Sequence, residues 1–123
     1  MVELRVRLPT RPGETASAGQ ALTTLTVSAQ ADRRCVRAQI ASDVEDPSTL
    51  IYQEEWLDEQ SLATRVQSEH FNTVLSIMES CPAPPAIEFR FVSGVRGLDY
   101  VEEVRNAITS WAAAGMSTRR RIS

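Results

Sequence analysis

The chain contains one histidine, His70, and histidine is the side chain best suited to acid–base work near neutral pH. His70 lies four and eight residues after Val66 and Leu62, at the edge of an apolar stripe with helical spacing, so its ring could border a pocket. We therefore regard His70 as the candidate proton acceptor. The alternative is a partly buried histidine that bonds a backbone carbonyl and takes no part in chemistry.

Three further candidates, Tyr52, Glu54 and Trp56, alternate along a predicted strand and therefore share one face. In one interpretation they form an aromatic wall with an acidic group that contacts a planar substrate. In the other, both aromatic rings pack in the core and Glu54 pairs with an arginine. A carboxylate on a buried face requires such a partner or a polar pocket.

Arg65 and Asn72 are the remaining candidates, as polar groups that would orient a substrate, although either could be a solvated helix position. The two cysteines, Cys35 and Cys81, have no spacing typical of a metal site and no histidine nearby in sequence, so we expect inert thiols. With one histidine in the chain, a zinc site would have to recruit carboxylates. We predict no metal site.

Hydrophobic periodicity predicts the elements that position these residues. Alternation predicts strands and helical spacing predicts helices. Asp58 is a natural N-cap. A shift of helical phase around Ser68-Glu69 predicts a bend or two helical segments. The predicted order is strand Val2–Leu8, helix Glu14–Gln30, strands Cys35–Ser42 and Leu50–Leu57, a helix from Asp58 to Cys81, strand Ile87–Val95, and a last helix after Gly97. In this last helix, Asp99 and Glu102 fit a capping-box-like pattern. Its apolar stripe consists of Val101, Val104, Ile108 and Trp111.

This order predicts an α+β fold, the ferredoxin-like split βαβ arrangement, with both main helices on one face of a four-stranded antiparallel sheet. We expect residues 1–97 to form this domain, residues 98–115 a helix packed on it or on a dimer partner, and residues 116–123 a flexible basic tail. The other sheet face would carry mixed charges, and an exposed edge strand favours a homodimer.

Composition excludes several classes of function. The net charge is −3 and the arginines are scattered, so the chain has no nucleic-acid footprint. No apolar run approaches the length of a membrane span, and Met1 to Pro9 does not resemble a signal peptide. We expect a cytoplasmic protein of one domain with reduced thiols.

Two segments resemble the antibiotic biosynthesis monooxygenase family of the dimeric α/β-barrel superfamily: the Tyr52-x-Glu54-Glu55-Trp56-x-Asp58-Glu59 junction and Ser68-Glu69-His70-Phe71. Pro12-Gly13, Cys35-Val36-Arg37 and Asp46-Pro47 also fit, so the resemblance covers about residues 2–95. It implies a homodimer packed sheet against sheet, with a small-ligand pocket between helices and sheet. Some relatives oxidise quinols or similar aromatics with dioxygen and no cofactor. Others degrade haem, which is less favoured because no segment resembles their ligand helix.

Many family members carry a histidine at the position that Arg65 occupies here, and arginine cannot act as a base at neutral pH. Two hypotheses follow. The first is a cofactor-independent monooxygenase acting on a quinol-like or polycyclic aromatic substrate, with His70 as proton acceptor, Arg65 or Asn72 orienting the substrate, and Tyr52, Glu54 and Trp56 lining the pocket. The second is a non-catalytic dimeric α/β barrel that serves as a ligand-binding or structural module.

Overall fold

A four-stranded antiparallel sheet with helices on one face forms the first of two compact units. The structure is a computed structural model that describes residues 1–113, with side chains through Asn106. The elements are β1 (Val2–Pro9), a 3₁₀ turn (Pro12–Glu14), α1 (Thr15–Gln30), β2 (Cys35–Ser42), β3 (Thr49–Trp56), α2 (Glu59–Gln67), α3 (Phe71–Ser80), β4 (Ala86–Phe91) and α4 (Leu98–Ala113).

The strand order β2-β3-β1-β4 confirms the ferredoxin-like α+β prediction, because the first strand lies between the third and the fourth. All three strand pairs are antiparallel. In the register between β1 and β3, Leu4 lies opposite Glu54 and Val6 lies opposite Tyr52. The candidate residues of β3 therefore lie near the middle of the sheet, on its helix-facing side.

The core lies between this sheet face and the helices. Period-two alternation buries four β1 side chains, and α1 and α3 supply apolar residues at helical spacing that cover them. The fully or almost fully buried apolar residues are Val2, Leu4, Val6, Leu8, Leu22, Leu25, Ala29, Ala38, Leu50, Tyr52, Trp56, Leu62, Phe71 and Val74.

The predicted bend after α2 is confirmed, because the helix divides into α2 and α3 around Ser68, which has an extended backbone. Asp58 is the predicted N-cap of α2: its carboxylate accepts a hydrogen bond from the Ser61 backbone amide at 2.8 Å. Two predictions were wrong. β4 ends at Phe91 rather than near Val95, and Asp99 lies inside the first turn of α4, where its carboxylate accepts from the Gly97 amide at 3.0 Å.

The second compact unit begins at Gly94 and contains α4. The guanidinium of Arg96, two residues before α4, pairs with the carboxylates of Asp99 and Glu103 on that helix, at 3.0 and 2.5 Å. The packing of this helix on the domain or on a partner stays a prediction, and the predicted basic tail, residues 116–123, lies outside the described residues. Within residues 1–113, no helix is long and apolar enough to cross a membrane.

Candidate functional site

The Glu54 carboxylate is the centre of a buried polar cluster and is only 1% exposed. The Tyr52 hydroxyl donates a hydrogen bond to Oε2, and the indole Nε1 of Trp56 donates to Oε1 at 2.9 Å. Both donors belong to β3, where residues separated by two positions share one face. The strand thus supplies the carboxylate and two of its donors.

Arg65 of α2 completes the cluster. Its Nε donates to the two Glu54 oxygens at 3.2 and 3.1 Å, and its Nη2 donates to Oε2 at 3.0 Å. The same Nη2 lies 3.1 Å from the Leu25 carbonyl oxygen and from Ser28 Oγ, both on α1. Arg65 therefore links β3, α2 and α1. At 7% exposure it is not the solvated residue that the alternative interpretation expects.

Burial and charge act in opposite directions on Arg65. Burial lowers the pKa of the guanidinium, but the hydrogen bonds and negative charge of Glu54 outweigh that effect and the pKa is raised. The pKa of Tyr52 is raised first by burial and second by the charge of Glu54. Tyr52 is therefore a phenol that donates to Glu54, and it cannot serve as a base near neutral pH.

A cavity of about 170 Å³ lies against this cluster. It brings three of the predicted site residues together, namely Trp56, Arg65 and His70. Tyr52 and Glu54 lie behind them in the core, and Asn72 is exposed on α3 and does not line the cavity. The full lining is Ser28, Asp32, Arg34, Trp56, Ser61, Thr64, Arg65, Ser68 and His70.

Two groups in this cavity have no partner in the described part of the chain. The His70 ring makes no hydrogen bond or ion pair with any described residue, contrary to the alternative of a histidine bonded to a backbone carbonyl. The Arg65 Nη1 also donates no hydrogen bond to a described residue, whereas every buried side-chain nitrogen or oxygen described has a partner. Nη1 is therefore accessible to a ligand oxygen.

Asp32 and Arg34 form part of the cavity that the sequence interpretation missed. The Arg34 Nε and Nη2 donate to the two Asp32 oxygens at 3.1 and 2.9 Å, and the Arg34 amide donates at 2.9 Å. The side-chain bond with Arg34, followed by the backbone bond, lowers the pKa of Asp32 from 3.8 to about 2. The Asp32-Arg33-Arg34 turn could have indicated this ion pair, because an acidic turn residue two positions before an arginine favours two parallel hydrogen bonds between them.

The described residues contain no group of three or more His, Cys, Asp or Glu side chains that could hold a metal ion. Burial raises the pKa of the Cys35 and Cys81 thiols, so neither is activated as a nucleophile at neutral pH. A larger cleft of about 760 Å³ lies between α1 and the β2–β3 side of the sheet. It is lined by no titratable side chain among the described residues, so it offers no proton acceptor there.

The fold and cavity define an α+β protein of ferredoxin-like topology with a small, partly polar cavity. The family model for antibiotic biosynthesis monooxygenase matches residues 1–75, and the chain belongs to that family. No curated protein sequence matches the chain.

Solved structures share the fold at low sequence identity. One is the crystal structure of an antibiotic biosynthesis monooxygenase, with TM-score 0.66 and 18% identity, covering 76% of this chain and 100% of that one. A protein from Deinococcus radiodurans aligns with TM-score 0.71 and 13% identity, covering 79% and 97%. A protein from Mycobacterium tuberculosis aligns with TM-score 0.68 and 16% identity, covering 78% and 98%.

The Glu54–Arg65 pair leads to a stability prediction. Arg65→Met should lower the free energy of unfolding by about 3–5 kcal/mol, because it leaves a buried carboxylate without its cation. Adding Glu54→Gln should recover part of the loss, since the amide oxygen still accepts from Trp56. Urea unfolding measures both values. The control is Arg90→Met, which removes an exposed pair with Glu88 and should cost about 1 kcal/mol or less. Equal losses in the two single variants would contradict the role of the pair.

The Asp32–Arg34 pair predicts a response to acid. Because the pKa of Asp32 is lowered, the pair stabilises the folded state above pH 4 and loses that contribution as the pH falls through about 2. A carbon NMR titration of the Asp32 carboxyl should therefore show it mostly ionised at pH 3. Arg34→Ala should move the midpoint toward 3.8, and Arg33→Ala should leave it unchanged. A wild-type midpoint near 3.8 would refute the assignment.

Proposed function

We propose that the chain is a cofactor-independent monooxygenase that oxidises a quinol-like aromatic substrate in the cavity of Trp56, Arg65 and His70. The observation that carries the proposal is the pairing of two unpartnered groups in one cavity: the His70 ring and the Arg65 Nη1. A base and a fixed cation together fit the conversion of a phenol to its anion. Family membership supports the reaction class.

The cavity volume narrows the substrate. An engineered protein cavity of about 150 Å³ binds benzene, so about 170 Å³ suits one substituted aromatic ring. This size favours a single-ring quinol over the polycyclic aromatic substrates that the sequence left open. Drug-sized ligands occupy pockets of about 300–1,000 Å³.

The proposed reaction needs no reductant other than the quinol itself. His70 takes the proton of a quinol hydroxyl, and the Arg65 guanidinium holds the resulting oxygen anion. Dioxygen then accepts electrons from the ring: a ring C–H bond is replaced by C–O, the O–O bond breaks, and the second oxygen atom leaves as water. Hydroquinone and dioxygen would thus give hydroxyquinone and water.

A second candidate is a non-catalytic ligand-binding or structural module. The observation that favours it is the buried Glu54 cluster, which fills the space between β3 and the helices with hydrogen-bonded side chains. Arg65 also stands where many family members carry a histidine, which leaves His70 as the only histidine for proton transfer. The measurement of oxygen uptake separates the two candidates.

Oxygen consumption tests the catalytic proposal. The wild type should consume oxygen with methylhydroquinone faster than the uncatalysed reaction, and His70→Ala should lose about 10²-fold or more of the enzymatic rate, because a general base contributes at least that much. Glu69→Ala is the matched control, an exposed neighbour that should retain the rate. An equal rate in the His70 variant removes His70 from the mechanism. No wild-type uptake with a panel of single-ring quinols favours the second candidate.

We also propose that the protein is a homodimer packed through the outer sheet face. That face carries both signs of charge on adjacent strands: Arg5 lies opposite Glu88, and Glu3 lies opposite Arg90. Alternating charges on one surface can pair with a second copy related by a two-fold axis. The family resemblance supports the same arrangement.

Sedimentation equilibrium tests the dimer. The wild type should sediment at about twice the chain mass of 13.6 kDa. Arg5→Glu should shift the equilibrium toward monomer, because it places like charges beside Glu88 in the packed face. Arg33→Glu, an exposed reversal outside the strands, should leave the mass unchanged. A monomeric wild type, or equal behaviour of the two variants, would contradict this interface.

A further inference from the structure

We propose that the cavity selects ligands that donate hydrogen bonds, so that it holds the reduced, dihydroxy form of an aromatic ring and rejects the quinone. The residues that set this preference are Thr64, Ser68 and Ser61, whose hydroxyl oxygens can only accept from a ligand. The inference rests on the proposed function, because it concerns the same cavity.

The hydroxyl hydrogens of Thr64 and Ser68 are already used. Thr64 Oγ1 lies 3.0 Å from the Gln60 carbonyl oxygen, and Ser68 Oγ lies 2.6 Å from the Arg65 carbonyl oxygen. A carbonyl has no hydrogen to give, so each hydroxyl must be the donor in these bonds. Since a hydroxyl has one hydrogen, each oxygen has only lone pairs left for a ligand.

Ser61 and Ser28 are oriented in the same way. Ser61 Oγ donates to the Asp58 carboxylate at 2.7 Å, and Ser28 Oγ donates to the Leu25 carbonyl at 2.9 Å. Ser28 Oγ also accepts from Arg65 Nη2. With the ionised Asp32 carboxylate, the lining therefore presents five acceptor groups.

The donors of the lining are the guanidinium groups of Arg34 and Arg65, whereas the His70 ring is the proposed proton acceptor. A ligand hydroxyl satisfies both sets, since its oxygen accepts from a guanidinium while its hydrogen is donated to Thr64 or Ser68. A quinone oxygen can only accept. On entering, it would displace water from the acceptor oxygens and leave them unpaired, which is the arrangement that protein sites reject most strongly.

The preference of the cavity for hydrogen-bond donors would also affect turnover. Oxidation of a quinol to a hydroxyquinone converts the two hydroxyl groups that the cavity recognises to carbonyls and adds one hydroxyl, so the product donates fewer hydrogen bonds than the substrate. The site would then favour release of product and entry of fresh substrate without any movement of the protein.

The test uses two redox-inert probes, resorcinol and 1,3-dimethoxybenzene. Resorcinol has two hydroxyl hydrogens that can be donated, whereas the ether has none. Isothermal titration calorimetry should give a Kd for resorcinol at least about tenfold lower, equivalent to one or two hydrogen bonds. Thr64→Val should weaken resorcinol about fivefold and leave the ether unchanged. Thr24→Val is the matched control: Thr24 donates to the Gln20 carbonyl in the same way at 3.2 Å but lies outside the cavity.

Ser68→Ala provides an independent second variant and should reproduce the Thr64→Val result. The inference is overturned if the two probes bind equally, or if neither Thr64→Val nor Ser68→Ala changes the affinity for resorcinol. If quinol-dependent oxygen uptake persists in that case, the proposed function stands and only the donor preference fails. If neither probe binds and no oxygen is consumed, both proposals fail.

Discussion

The buried carboxylate of Glu54 is the constraint on which the rest of this structure depends. A carboxylate at the centre of a sheet face requires donors from every direction, because its desolvation is costly unless it is paired and hydrogen-bonded. Two donors come from its own strand, and the third group, Arg65, comes from α2. Arg65 in turn bonds the Leu25 carbonyl of α1. One polar cluster therefore fixes the positions of a strand and two helices relative to each other.

The same cluster places the edge of the cavity. Because Nε and Nη2 of Arg65 are held by Glu54 and α1, the guanidinium has a fixed orientation and its Nη1 is left accessible to a ligand. The guanidinium carbon Cζ of Arg65 also lies 5.9 Å from the centroid of the Trp56 ring. The buried pair is thus both a core element and the rear wall of the candidate site. A cation held in this way needs no reorganisation to bind an anionic group.

The sequence was sufficient for the fold because local patterns agreed with one another. Alternation in β1, the Asp58 cap and the phase change near Ser68 each indicated one element, and their order left one arrangement. The site was harder to predict. The approach of Arg65 to Glu54 depends on how α2 crosses the sheet, and no spacing between residues eleven apart encodes that. The Asp32–Arg34 fork and the orientation of four hydroxyl groups likewise became visible only with tertiary structure. Asn72 was predicted to orient the substrate, but it does not line the cavity although it lies two residues from His70 in sequence.

The break between α2 and α3 separates a residue that stabilises the core from the histidine at the edge of the cavity. Arg65 lies on α2 before the break and stabilises the core, whereas His70 lies after the extended Ser68, at the N-cap of α3. A change in this joint can therefore re-aim the histidine while the buried cluster stays intact. Such an arrangement allows the residues at the edge of the cavity to change with little effect on folding.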